Sequence, residues 1–155
     1  MENIKAIFLD LGGTFRIVED NRPFYEAARK RIAEICGTDM DPDEYYDFLN
    51  TRYDEYRKWA MRFYCEAPES VLWTRWLVPE LDREYIEANA VELTYQFRRA
   101  KGERVVVPGG VETVRELVRR GYKVGIISDL IGTVEIDEWL DHDGIRDLFC
   151  TVQQS

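Results

Sequence analysis

Asp10 closes the apolar run Ile4-Lys5-Ala6-Ile7-Phe8-Leu9 and opens the turn Leu11-Gly12-Gly13-Thr14. A carboxylate placed there stands at the carboxyl end of a strand, where an open α/β sheet keeps its ligands. The two glycines let backbone N–H groups come close to whatever binds. A second run, Lys123-Val124-Gly125-Ile126-Ile127, ends in Ser128-Asp129 and repeats the arrangement with a hydroxyl and another carboxylate. His142 is the one histidine among 155 residues, which argues against chemistry built on a histidine base. Cys36, Cys65 and Cys150 are odd in number, far apart and without metal-ligand spacing. They read as reduced thiols of a cytoplasmic protein.

The elements that position these residues follow from periodicity. Residues 4–10 suit a strand of a parallel sheet covered on both faces. From Arg22 to Lys101 the pattern is helical. Arg22–Ile35 forms a first helix, closed by Gly37. Asp41 caps a second, with Pro42 in its first turn. Its stripe of Tyr45, Phe48, Leu49, Tyr53, Tyr56, Ala60 and Phe63 recurs every three or four residues, as one helix face requires. Such a stripe packs a core or, with Trp59 or Tyr64, lines a substrate pocket. Pro68 opens a shorter helix that Pro79 stops, and Asp82 caps a fourth through Phe97. Beyond Gly102 the pattern is α/β again. Val105–Val107 leads to the turn Pro108-Gly109-Gly110 and a helix from Val111 to Arg120 that Gly121 closes. The strand to Ser128, a helix from Thr133 to Leu140 and a strand at Phe149–Val152 complete the chain. Right-handed crossovers between parallel strands bring the carboxyl ends together, so Asp10 and Ser128 meet at one edge of the sheet.

Hydrophobic residues make up 45% and charged residues 33% of the chain, a globular balance. No apolar run approaches the ~20 residues that span a bilayer. The acidic start Met1-Glu2-Asn3 is no signal peptide. The net charge of −9 argues against nucleic acid or an anionic membrane as partner. A small anionic substrate needs a locally positive site, made by a metal, helix N-termini or a few Arg side chains.

On these residues the chain resembles the haloacid dehalogenase superfamily, in its subfamily I with a helical cap. Leu9-Asp10-Leu11-Gly12-Gly13-Thr14 is similar to the family's first motif, Asp-x-Asp-Gly-Thr/Val. Ser128 in Gly125-Ile126-Ile127-Ser128-Asp129 falls on its second motif, and Pro108-Gly109-Gly110-Val111 with Gly121 looks like the usual lead-in. The resemblance implies an α/β fold. Its core is an incomplete Rossmann-like parallel sheet made of residues 1–15 and 101–155. An all-helical cap of residues 16–100 is inserted into it, and cap movement would admit substrate and exclude water. It implies Asp10 as a nucleophile that forms a covalent aspartyl ester at phosphorus or carbon. Ser128 would hold an oxygen of the transferring group. Gly13, Thr14, Asp129 and Arg16 would serve the substrate side, although Arg16 also reads as a surface residue. Mg²⁺ would be held by the Asp10 carboxylate and the Gly12 carbonyl, and would screen a phosphate from the attacking anion.

Two departures limit that reading. Gly12 stands where family phosphatases have a second Asp, the general acid/base, which is worth roughly 10²–10⁴ in rate. Dehalogenases and phosphonatases of the family lack it too. The expected activity is therefore hydrolysis of a small phosphorylated, halogenated or other organic-acid metabolite, impaired for phosphate esters. The alternative is a non-catalytic relative that binds a ligand or partner. The family's third and fourth motifs, a Lys and acidic metal ligands, are also not found before Ser155. The strand at 4–10 would then show an unpaired apolar edge, covered by a missing C-terminal segment or by a second copy in a homo-oligomer.

Overall fold

The computed structural model describes residues 4–154. Its elements run β1 (Ala6–Leu9), β2 (Arg16–Glu19), α1 (Arg22–Cys36), α2 (Pro42–Phe63), α3 (Glu69–Val71), α4 (Arg83–Arg99), β3 (Glu103–Val106), α5 (Gly110–Arg119), β4 (Lys123–Ser128), α6 (Glu135–His142) and β5 (Thr151–Gln154). A π-helical turn, Leu72–Leu77, continues α3. The chain forms two units. One holds the residues through Glu19, Arg104–Leu130 and those from Val134 onward; the other holds Asp20–Glu103 with Ile131–Thr133.

In the first unit β4 pairs in parallel with both β1 and β5, which gives a three-stranded sheet of order β1-β4-β5. Among the described residues β1 therefore lies at an edge of this sheet. β4 alternates as a half-covered strand does: Val124 and Ile126 are 1% and 0% exposed, while Ile127 is 53% exposed. Val124 and Ile126 share a core with Val114 of α5 and with Ile136 and Leu140 of α6. Those helices supply apolar side chains to one face only. The expectation of a sheet covered on both faces is therefore corrected. On the other face Phe8 stays 50% exposed and lies over Gly125, where an added Cβ would come within 2.7 Å of the ring.

Arg16–Glu19, assigned to the helical insert by sequence, are instead β2, which pairs with β3 in a two-stranded sheet. The turn before it causes this. Gly13 takes a left-handed backbone, φ 73°. Around it the Leu11 carbonyl accepts from the N–H groups of Thr14, Phe15 and Arg16 at 3.2, 3.1 and 2.8 Å. The chain is thereby bent back into a strand rather than released into a helix.

The helical unit begins and ends its helices where capping chemistry dictates. Asn21 accepts from the Phe24 N–H, Asp41 from those of Asp43 and Glu44, and Asp82 from that of Tyr85. Gly37 closes α1 with φ 64°. The stripe on α2 buries Tyr45, Leu49, Tyr56 and Ala60, together with Tyr46, which the spacing had not placed there. Phe63 is 56% exposed. It lies in the last turn, where the chain leaves the helix through Tyr64 in a left-handed conformation, φ 50°. The centre of the unit is Trp73, fully buried, whose indole N–H donates to Thr94 Oγ1 at 2.8 Å. Burial pushes the Cys36 thiol and the Tyr45 hydroxyl up, so both stay protonated in this core.

Candidate active site

Leu9 of β1 stands opposite Ile126 of β4. Asp10 lies one residue beyond that pair and Ser128 two, so they occupy the same end of adjacent parallel strands. Ser128 is 4% exposed, while Asp10 is open to solvent. Asp10 makes no hydrogen bond or ion pair with the described residues. Several other carboxylates of the unit are committed. Asp137 and Asp141 are held by Arg146 at 2.7 and 2.5 Å, and Asp143 by Arg16 at 2.5 Å. Asp10 is an acid that the fold displays rather than uses.

The Leu11–Arg16 loop fixes the position of Asp10. Besides the three bonds to the Leu11 carbonyl, the Gly13 N–H donates to the Arg16 carbonyl at 2.9 Å. The N–H groups of Gly13 and Thr14 thus bind the loop to itself, and the Thr14 side chain is exposed. An added Cβ at Gly12 meets nothing within 4 Å, and its backbone is not left-handed. Packing therefore does not demand glycine there, and a side chain at 12 would point into open space. Asp129, directly after Ser128, is exposed.

Arg16 is corrected. It is 6% exposed, and both terminal nitrogens of its guanidinium make contacts. Nη1 pairs with Asp143, Nη2 donates to the Arg104 carbonyl at 2.8 Å, and the group lies 4.6 Å from the Trp139 ring centre. It ties β2 to β3 and to the end of α6. It is a buried residue rather than a surface one, and its Nε finds no partner among the described residues.

For Mg²⁺ the first two donors named by sequence remain open. The loop's own bonds use the Leu11 and Arg16 carbonyls and leave the Gly12 carbonyl out. One carboxylate and one carbonyl, completed by water, match the oxygen set this ion accepts. Among the described residues no group of three or more His, Cys, Asp or Glu side chains gathers as a metal cage.

Sequence reasoning missed two buried acids. Glu69 in α3 is 7% exposed and Glu135 in α6 is 1% exposed. Both sit in first helical turns, where acids are expected on a solvated surface as readily as inside. No local signal separates the two cases.

The fold is thus a mixed α/β class, with a parallel three-stranded sheet and six helices among the described residues. No protein-family model and no curated protein matches the sequence. The chain is similar to a dehalogenase crystal structure at 18% identity and TM-score 0.45, over 99% of this chain and 63% of that one. It is similar to a Clostridium difficile protein described as a candidate phosphatase, at 15% identity and TM-score 0.48, over 100% and 62%. A dehalogenase with an intermediate complex aligns at 17% identity and TM-score 0.45, over 100% and 64%. The chain spans less than two thirds of the length of each. Among the described residues no helix is long and apolar enough to cross a membrane.

Proposed function

We propose that the chain is a hydrolase of the haloacid dehalogenase type that works in the cytoplasm on a small phosphorylated, halogenated or other organic-acid metabolite, with Asp10 as nucleophile. One observation carries the reading. The exposed, uncommitted Asp10 stands at the carboxyl end of β1, beside the end of β4 that carries Ser128. In this reading an Asp10 oxygen attacks phosphorus or carbon, and the leaving group departs with the bonding electrons. Water then cleaves the aspartyl ester and restores the carboxylate. Ser128 donates to an oxygen of the transferring group, and Thr14 and Asp129 border the substrate. Mg²⁺, when bound by Asp10 and the Gly12 carbonyl, supplies charge neutralisation to a phosphate.

Gly12 gives no proton to a leaving group, so turnover of phosphate esters is expected to be slow. The observation that nothing crowds a side chain at 12 makes this testable. Gly12→Asp is expected to fold normally and to raise Mg²⁺-dependent phosphatase turnover, within the roughly 10²–10⁴ that acid/base help supplies. Asp10→Asn is expected to abolish both basal and enhanced turnover. Robust wild-type phosphatase activity that survives Asp10→Asn would sink the proposal. Gly12 also favours a second reading, a non-catalytic binder of a ligand or partner. In that case ligand binding is unaffected by Asp10→Ala.

A further inference from the structure

The helical unit includes three residues, Ile131–Thr133, that the sequence separates from it. They belong to the segment between β4 and α6, three to five residues after Ser128. Two contacts hold them. Ile131 packs against the apolar core of the helical unit. The Glu69 carboxylate accepts from the Thr133 hydroxyl at 2.9 Å and from the Thr133 N–H at 3.4 Å.

Glu69 is 7% exposed. A carboxylate withdrawn from water to that degree is costly unless donors replace its hydration. Here both donors shown come from one residue, 64 positions away in sequence. Leu72 and Trp73, which follow Glu69 in the same helical segment, are buried in the unit's core. Nothing in the proposed chemistry uses this acid, and its geometry is that of an anchor.

We propose that Glu69 is a positioning residue: its carboxylate latches Thr133 and thereby sets the conformation of the loop residues Ile131–Thr133. These residues follow the Ser128 strand end in sequence. That this loop borders a substrate rests on the hydrolase reading; the latch itself does not.

The test is site-resolved amide hydrogen exchange on the whole chain. Hydrogen bonds to a charged group are strong enough that Glu69→Ala is expected to speed exchange of the Ile131–Thr133 amides about tenfold or more. Core amides at Val124, Ile126 and Leu93 should change far less. Glu69→Gln keeps an acceptor and should restore part of the protection. Thr133→Val should mimic Glu69→Ala, and the double variant should exchange no faster than the worse single one. Unchanged loop protection in Glu69→Ala, additive effects of the two substitutions, or equal acceleration of loop and core would each overturn the latch. Aspartyl trapping at Asp10 in the same variants is a separate arm. Its absence in the wild type counts against the hydrolase reading alone, while the exchange data still decide the latch.

Discussion

The helical unit closes a core of its own; the sheet of the α/β unit leaves one face open. In the former, Trp73, Tyr56, Leu49, Leu77, Ile86 and Leu93 are all fully buried, and edge-on and tilted ring contacts run from Tyr46 through Phe97 to Trp73. In the latter, one sheet face meets α5 and α6, while Phe8 and Ile127 on the other are half exposed. Charge is divided within the α/β unit itself. Arg16 and Asp143 are locked together inside, yet Asp10 stands uncommitted a few residues away in sequence. The difference teaches that the helical unit supplies a closed core, while the open sheet edge carries the acid proposed to react.

Substitutions can break this comparison, and the largest effect belongs to the sealed core. Trp73→Ala should cost about 3–5 kcal/mol and leave Thr94 without its indole donor, as read by denaturant unfolding. Arg16→Met should cost about 3 kcal/mol, because it strands Asp143 and the Arg104 carbonyl. A loss near zero there would show that the ion pair is dispensable. Gly125→Ala should cost about 1–3 kcal/mol, since its Cβ must displace the Phe8 ring or the Thr151 methyl. Phe8→Ala should cost only about 1 kcal/mol, given its half exposure, and should reduce self-association if the open face is sticky. If Phe8→Ala were as costly as Trp73→Ala, the two units would not differ as described.

The smallest effect is electrostatic. The Arg119 and Arg120 guanidiniums hydrogen-bond the Glu116 carboxylate and hold its pKa down, from 4.5 to about 2. A depressed carboxylate adds stability above its ordinary range and loses it as pH falls toward the folded value. Glu116→Gln should therefore flatten the pH dependence of stability slightly between those two values. The carboxylate is fully exposed and screened, so a large change there would be unexpected.

Much of this architecture is legible in the residues. Asp41 and Asp82 cap helices, Gly37 and Gly121 close them, and Lys123–Ser128 is a strand at the bounds its apolar run predicts. These signals are local. What sequence missed is set by distant partners. β2 was invisible because Arg16-Ile17-Val18-Glu19 acquires its role only through β3, some eighty-five residues on. Arg16 reads as a surface cation until Asp143 and Trp139 are folded around it. Phe63 fits the helical stripe by spacing, but the neighbours that bury the stripe stop short of its last turn. At the site, Asp10 and Ser128 could be placed together from parallel-strand logic alone. The freedom of the Gly12 position could not, because it depends on what surrounds a missing side chain.

The central claim is that Asp10 is a nucleophile and not a surface acid. Intact-mass and peptide mass spectrometry after incubation with Mg²⁺ and a panel of small phosphorylated and halogenated acids tests it most directly. Slow turnover, which Gly12 favours, should let an aspartyl adduct accumulate. The account predicts one substrate-derived mass on the peptide containing Asp10, absent in Asp10→Asn and reduced in Ser128→Ala. An adduct elsewhere, or one that persists in Asp10→Asn, would contradict it.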